Sequence, residues 1–163
     1  APPGGSESSS YGEVWDRALG ALRELAPEAE KRSVHIGIEN VWNKFLLSPI
    51  EMREFIDSIG SDYVGAYFDV GNVLLYGYPE DWIRILGSRI KKVHFKDFRT
   101  SVGTLAGFVN LLQGDVNWPE VMAAFAEIGY TDYAYAEIGP YRYHSEALIG
   151  DISRAMDWIM QRK

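Results

Sequence analysis

Apolar positions along the chain switch between two spacings. Residues 12–32 carry Trp15, Ala18, Leu19, Leu22, Leu25 and Ala29 at the intervals of one helix face. Pro27 lies inside that stretch, and its missing N–H predicts a kink or a split there. From Val34 the pattern alternates, which predicts a strand ending on Glu39. Ser48-Pro49-Ile50-Glu51 has the form of a capping box with proline at the first helical position. Its helix presents Met52, Phe55, Ile56 and Ile59 and stops at Gly60. A strand from Tyr63 ends on Asp69, and a loop with Gly77 and Pro79 leads to a short helix with Trp82, Ile83 and Leu86. A third strand runs from Ile90 to His94. A loop follows over about 97–116, long enough in a compact domain to suggest a functional segment. Asn117-Trp118-Pro119-Glu120 opens a helix with Val121, Phe125 and Ile128. The strand Tyr133–Glu137 and a helix over 145–161 close the chain.

One helix followed by four strand–helix units predicts an α/β fold with a parallel sheet and right-handed crossovers. One strand face is apolar, with Ile36 and Ile38, Val64, Ala66 and Phe68, Val93 and Phe95, Ala134 and Ala136. The other holds Gly37, Tyr67, Lys92 and Tyr135, a mixture that suits a barrel interior better than a doubly wound sheet. Four units make half of a TIM barrel. Bare strand edges invite pairing, so the expectation is a (βα)4 half barrel over 12–163, completed by a second chain as a homodimer. Residues 1–11 read as a disordered tail.

Composition narrows the partners. The 163 residues are 47% hydrophobic and 24% charged, ordinary for a globular domain. The net charge of −7 argues against nucleic acid, which calls for a basic face. There is no cysteine, so thiolate metal sites and disulfides are out. No apolar run approaches the roughly 18 residues of a membrane span. The first ten residues lack the apolar core of a signal peptide, and a cytoplasmic protein is the expectation. Opening on Ala rather than Met suggests processing or excision from something longer.

The strand ends carry the chemistry. In a parallel α/β sheet the carboxyl ends of the strands lie on one side, where ligands bind. Glu39, Asp69, His94 and Glu137 should therefore converge. Three carboxylates and one imidazole form a hard site that suits Mn²⁺ or Mg²⁺, with Co²⁺ or Zn²⁺ as alternatives. Such an ion polarises a sugar oxygen and acidifies the neighbouring C–H. Glu39 and Glu137, on the outermost strands, are placed to remove a proton from one face of the carbon and return it to the other. The reaction class is epimerisation or aldose–ketose isomerisation through an enediolate, on a sugar or sugar phosphate. Lys96 and Arg99 could hold a phosphate or hydroxyl, or be solvated charge. Asn40, Asn43 and Asn72 could bind hydroxyls or cap turns. Trp42 could wall a sugar, whereas Trp118 reads as core. Asp97 could orient His94 or a loop. His35 reads as structural and His144 as a solvated loop residue.

At these residues the chain resembles the xylose isomerase-like TIM-barrel superfamily, in its sugar-phosphate isomerase/epimerase branch. The matching stretches are Ile38-Glu-Asn-Val-Trp-Asn-Lys-Phe45, Phe68-Asp-Val-Gly-Asn72, Val93-His-Phe-Lys-Asp97, Gly114-Asp-Val-Asn-Trp-Pro-Glu120 and Tyr135-Ala-Glu137. The resemblance implies a divalent-metal epimerase or isomerase with ligands at Glu39, Asp69, His94 and Glu137 and the two glutamates as its acid–base pair. It covers only the carboxyl-terminal half of the family barrel. Family epimerases often place His where this chain has Asn72 and a second Glu where it has Phe45. A non-catalytic half-barrel module that dimerises and binds metal or a small polyol is the alternative.

Overall fold

Helix α1 (Tyr11–Arg32) opens the fold in the computed structural model, which describes residues 8–161. The tail expected over 1–11 lies mostly outside the described residues. Within them, Ser10 caps α1 in a full capping box with Glu13 and Tyr11 is already helical. Pro27 does not split α1. It sits on the exposed side, and Ala26 and Ala29 beside it stay buried, so tertiary packing outweighs the lost bond. Leu25, expected on the buried face, is exposed, and Val14 lies buried instead.

Four parallel strands form the main sheet: β1 (Ile36–Glu39), β2 (Val64–Asp69), β3 (Ile90–Phe95) and β6 (Ala134–Ala136), hydrogen-bonded in that order. Helices α2 (Pro49–Ile59), α3 (Pro79–Leu86) and α4 (Trp118–Glu127) connect them, and α5 (Ser145–Ile159) follows the last strand. The core lies between strands and helices. Met52, Phe55, Ala66, Phe68, Ile83, Leu86, Val93 and Val121 are all fully buried there, matching the apolar strand face and the apolar helix stripes. Phe45 also turns into this core against Tyr11, Trp15 and Phe55.

Two local features depart from the sequence reading. Ser48 accepts the Glu51 amide as expected, but the Glu51 carboxylate does not complete the box. It takes the Leu47 N–H at 2.8 Å and the Tyr11 hydroxyl at 2.5 Å, tying α1 to the start of α2. The loop over 97–116 contains a short antiparallel pair, β4 (Asp97–Phe98) with β5 (Phe108–Val109). Within the described residues, β1 and β6 each pair on one side only, so both sheet edges are open. No described helix is long and apolar enough to cross a membrane.

Candidate metal centre

Strand register decides where the four expected ligands meet. Glu39 pairs with Tyr67, two residues before Asp69; Asp69 pairs directly with His94; His94 pairs with Tyr135, two residues before Glu137. The candidate ligands are thus level between β2 and β3 and advance by two residues at each of the outer pairs. That is the stagger of a barrel, whose tilt brings such displaced residues to one height. The outcome is convergence: each of Glu39, Asp69, His94 and Glu137 offers one ligand atom, and these atoms lie within 4.8 Å of one another. His94 Nδ1 is 3.0 Å from Glu39 Oε1 and 3.8 Å from both Asp69 Oδ2 and Glu137 Oε2.

Burial divides the set. The Asp69 side chain is 0% exposed, whereas Glu39 and Glu137 keep 24% and 46% of theirs open. Asp69 Oδ1 accepts the Asn72 amide at 2.8 Å, but buried Oδ2 has no hydrogen-bond partner. An orphaned buried oxygen is costly unless something else pairs with it. Burial chiefly, opposed by Lys96 and helped by the neighbouring Glu137, pushes the Asp69 carboxyl up to about 7. Burial pulls the His94 imidazole down, but the bond to Glu39 and the surrounding carboxylates win and raise it. Burial also works against the Glu137 carboxylate, and the Lys96 ammonium overrides it and holds this group below its usual range. A buried oxygen without a hydrogen bond, two further carboxylates and an imidazole at this spacing fit a divalent cation.

Lys96 belongs to the cluster. It follows His94 by two residues and so lies on the same side of the chain. Its Nζ is 2.6 Å from Glu137 Oε2, 3.6 Å from Asp69 Oδ2 and 4.6 Å from the centre of the Phe108 ring. Phe108 packs on Trp42 and Phe98, so Trp42 stands next to the ring on which the Lys96 ammonium rests. Below the ligands, the Tyr67 ring lies 4.2 Å from the His94 ring. Gly37 makes room for it, since a Cβ there would sit 2.9 Å from Tyr67 Cβ.

The other expected site residues brace loops. Asn40 and Asn72 form a buried clasp: Asn40 exchanges two 2.8 Å bonds with the Asp69 backbone, and Asn72 Nδ2 donates to the Asn40 carbonyl. Trp42 Nε1 donates to the Asn72 carbonyl at 2.7 Å. Asn43 Oδ1 accepts the Phe45 amide. Arg99 Nε donates to the Gln113 carbonyl. Asp97 orients the loop: fully buried, its carboxylate accepts from the amides of Phe98, Leu112 and Val116 and from the Trp118 indole. Trp118 is core as expected. His35 stacks on Tyr63, and exposed His144 caps α5 with a left-handed backbone. The sequence reading missed Phe108, because only the β4–β5 pairing swings it toward Lys96. Tyr67's place under His94 was signalled by strand alternation.

Comparison with known proteins bears on the fold that carries this site. The profile of the family described as xylose isomerase-like TIM barrel matches residues 1–162. An uncharacterized protein of Methanocaldococcus jannaschii is 29% identical over 129 residues, 76% of this chain and 43% of its own length. The 3-oxo-isoapionate decarboxylase of Pectobacterium atrosepticum is 30% identical over 92 residues, 56% of this chain and 32% of its own. Among solved structures, the IolI protein with a zinc atom superposes with a TM-score of 0.81 at 21% identity, covering 94% of this chain and 59% of that one. D-psicose 3-epimerase in the presence of D-fructose gives 0.78 at 16% identity, covering 94% and 57%. The chain therefore spans less than two thirds of these proteins, and at such identities the solved structures share its fold.

Proposed function

The chain belongs to the xylose isomerase-like TIM barrel family, and on that premise we propose that it carries the metal-binding, acid–base half of a sugar or sugar-phosphate epimerase or isomerase. The observation that carries this reading is the convergence of Glu39, Asp69, His94 and Glu137 within 4.8 Å. Family resemblance adds support, since fold relatives include a zinc-bearing IolI protein and a D-psicose 3-epimerase. The donor set is three oxygen ligands and one nitrogen, for which Mn²⁺ is our first choice of ion.

When bound, a divalent ion polarises a carbonyl or hydroxyl oxygen and acidifies the adjacent C–H. Buried Asp69 serves as ligand only. Glu39 and Glu137 remain partly open on opposite ends of the strand row, so one takes the proton to give an enediolate and the other returns it. Lys96 and Trp42 face the substrate, while Asn43, Asn72 and Arg99 act through the loops they brace. The remaining four strands come from a second copy in the cytoplasm, each β6 edge pairing with the partner subunit's β1 edge about a two-fold axis.

The test supplies Mn²⁺ in deuterated water with a panel of ketoses and ketose phosphates. Deuterium entering a C–H next to a carbonyl is expected; no incorporation with any sugar contradicts catalysis. The open edges also favour a second reading, a half-barrel module that dimerises and binds metal or a small polyol without turnover. Calorimetric binding of metal and sugar, with no deuterium incorporation, selects that reading.

A further inference from the structure

The four candidate ligands do not account for all the charge at this centre. In the protonation state that binds a divalent ion, with His94 neutral and the acids ionised, Glu39, Asp69 and Glu137 carry three negative charges, and Lys96 is in direct contact with the group. Its ammonium shares Glu137 Oε2, the same oxygen that lies 3.8 Å from His94 Nδ1 on the ligand side. It also stands 3.6 Å from Asp69 Oδ2, which accepts no hydrogen bond. The Lys96 side chain is only 18% exposed, and the Phe108 ring sits against its ammonium, so it is held there rather than free in solvent. By contrast, Lys92, on β3 four residues before Lys96, is spent on Asp132 at 2.6 Å. Arg99 is spent on the Gln113 carbonyl.

We propose that Lys96 is a built-in counter-cation of the acid cluster, a positioning residue that pins Glu137 and sets how tightly the centre holds a divalent ion. This rests on the metal-binding reading above. A divalent ion and the ammonium compete for one carboxylate oxygen and repel each other across a few ångströms, where partial burial weakens screening. Lys96 therefore lowers metal affinity. In return it brings the charge of the loaded centre from −1 to zero, so an oxyanion developing on a substrate meets no excess negative charge. Glu39 bonds His94 instead and, among the described residues, has no lysine or arginine partner. The two glutamates are thereby made unequal.

The experiment titrates Mn²⁺ alone into the wild-type protein and into Lys96→Met, Lys96→Gln and Lys96→Arg by calorimetry, with melting in EDTA as a second readout. Lys96→Met and Lys96→Gln are expected to bind Mn²⁺ about tenfold tighter, and to melt at lower temperature in EDTA because Glu137 and its acidic neighbours lose their counter-charge. Lys96→Arg keeps the charge and is expected to stay within about threefold of wild type. Two neutral variants guard against one failing to fold. If the wild type binds Mn²⁺ and the folded neutral variants bind it no tighter, the Lys96 proposal is overturned while the metal-binding reading stands. If neither the wild type nor the variants bind a divalent ion, the metal-binding reading fails and takes this proposal with it.

Discussion

Asp69 is the residue on which the chemistry of the centre turns. Its carboxyl, raised to about 7, binds a proton more tightly in the folded chain than in the unfolded one. Folding stability therefore falls as pH rises from about 4 to about 7. His94, raised above its ordinary value, adds to the same trend: its contribution is complete below about 6.5 and is lost as pH climbs through the folded value. In EDTA the melting temperature should drop between about pH 5 and pH 8, and saturating Mn²⁺ should remove most of that drop, because the ion replaces the proton as partner of the buried oxygen. A flat profile in EDTA would contradict the electrostatics given for the site. Asp69→Asn, which keeps an oxygen for the Asn72 amide, should flatten the profile and weaken Mn²⁺ binding by at least tenfold, read by calorimetry. At this scale the sequence was informative where type and position coincide: a strand-end acid or imidazole is visible as such. The clasp of Asn40 and Asn72 was not, since an amide beside a ligand suits hydroxyl binding and backbone bonding equally.

Elements set the geometry that single residues use. The β4–β5 loop is organised by Asp97, whose carboxylate satisfies three amides and an indole in the interior. Asp97→Ala should cost about 3 kcal/mol in urea unfolding, since it strands several buried donors at once. Gly114 is part of the same arrangement, because a Cβ there would lie 2.1 Å from Asp97 Oδ1. Gly114→Ala should destabilise by about 2 kcal/mol and displace the loop, detectable as faster amide exchange at Leu112 and Val116. Helix and strand identities were readable from period, cap and proline. What the pattern left out were pairings that depend on distant segments: the two-residue ladder inside the long loop, and Glu51 turning from its own cap toward Tyr11. Pro27 was misjudged for a related reason. A local penalty was read correctly, but Ala26 and Ala29 packing around it decides the outcome.

For the whole molecule, the parallel order β1-β2-β3-β6 and the barrel-like stagger were foreseeable from strand alternation and the right-handed crossover rule. The proposed second copy is tested at the two open edges, β1 and β6. Light scattering should give twice the chain mass, and a charged substitution on the β6 edge, Tyr135→Glu, should shift the protein toward monomer; a stable wild-type monomer would contradict closure by a second copy. The central claim, that four strand ends build one cation site, is tested most directly by an anomalous difference map from crystals grown with Mn²⁺. The account predicts one strong peak within bonding distance, about 2.0–2.4 Å, of Glu39, Asp69, His94 and Glu137 together. No peak among those four side chains, or one held by residues elsewhere, would contradict it.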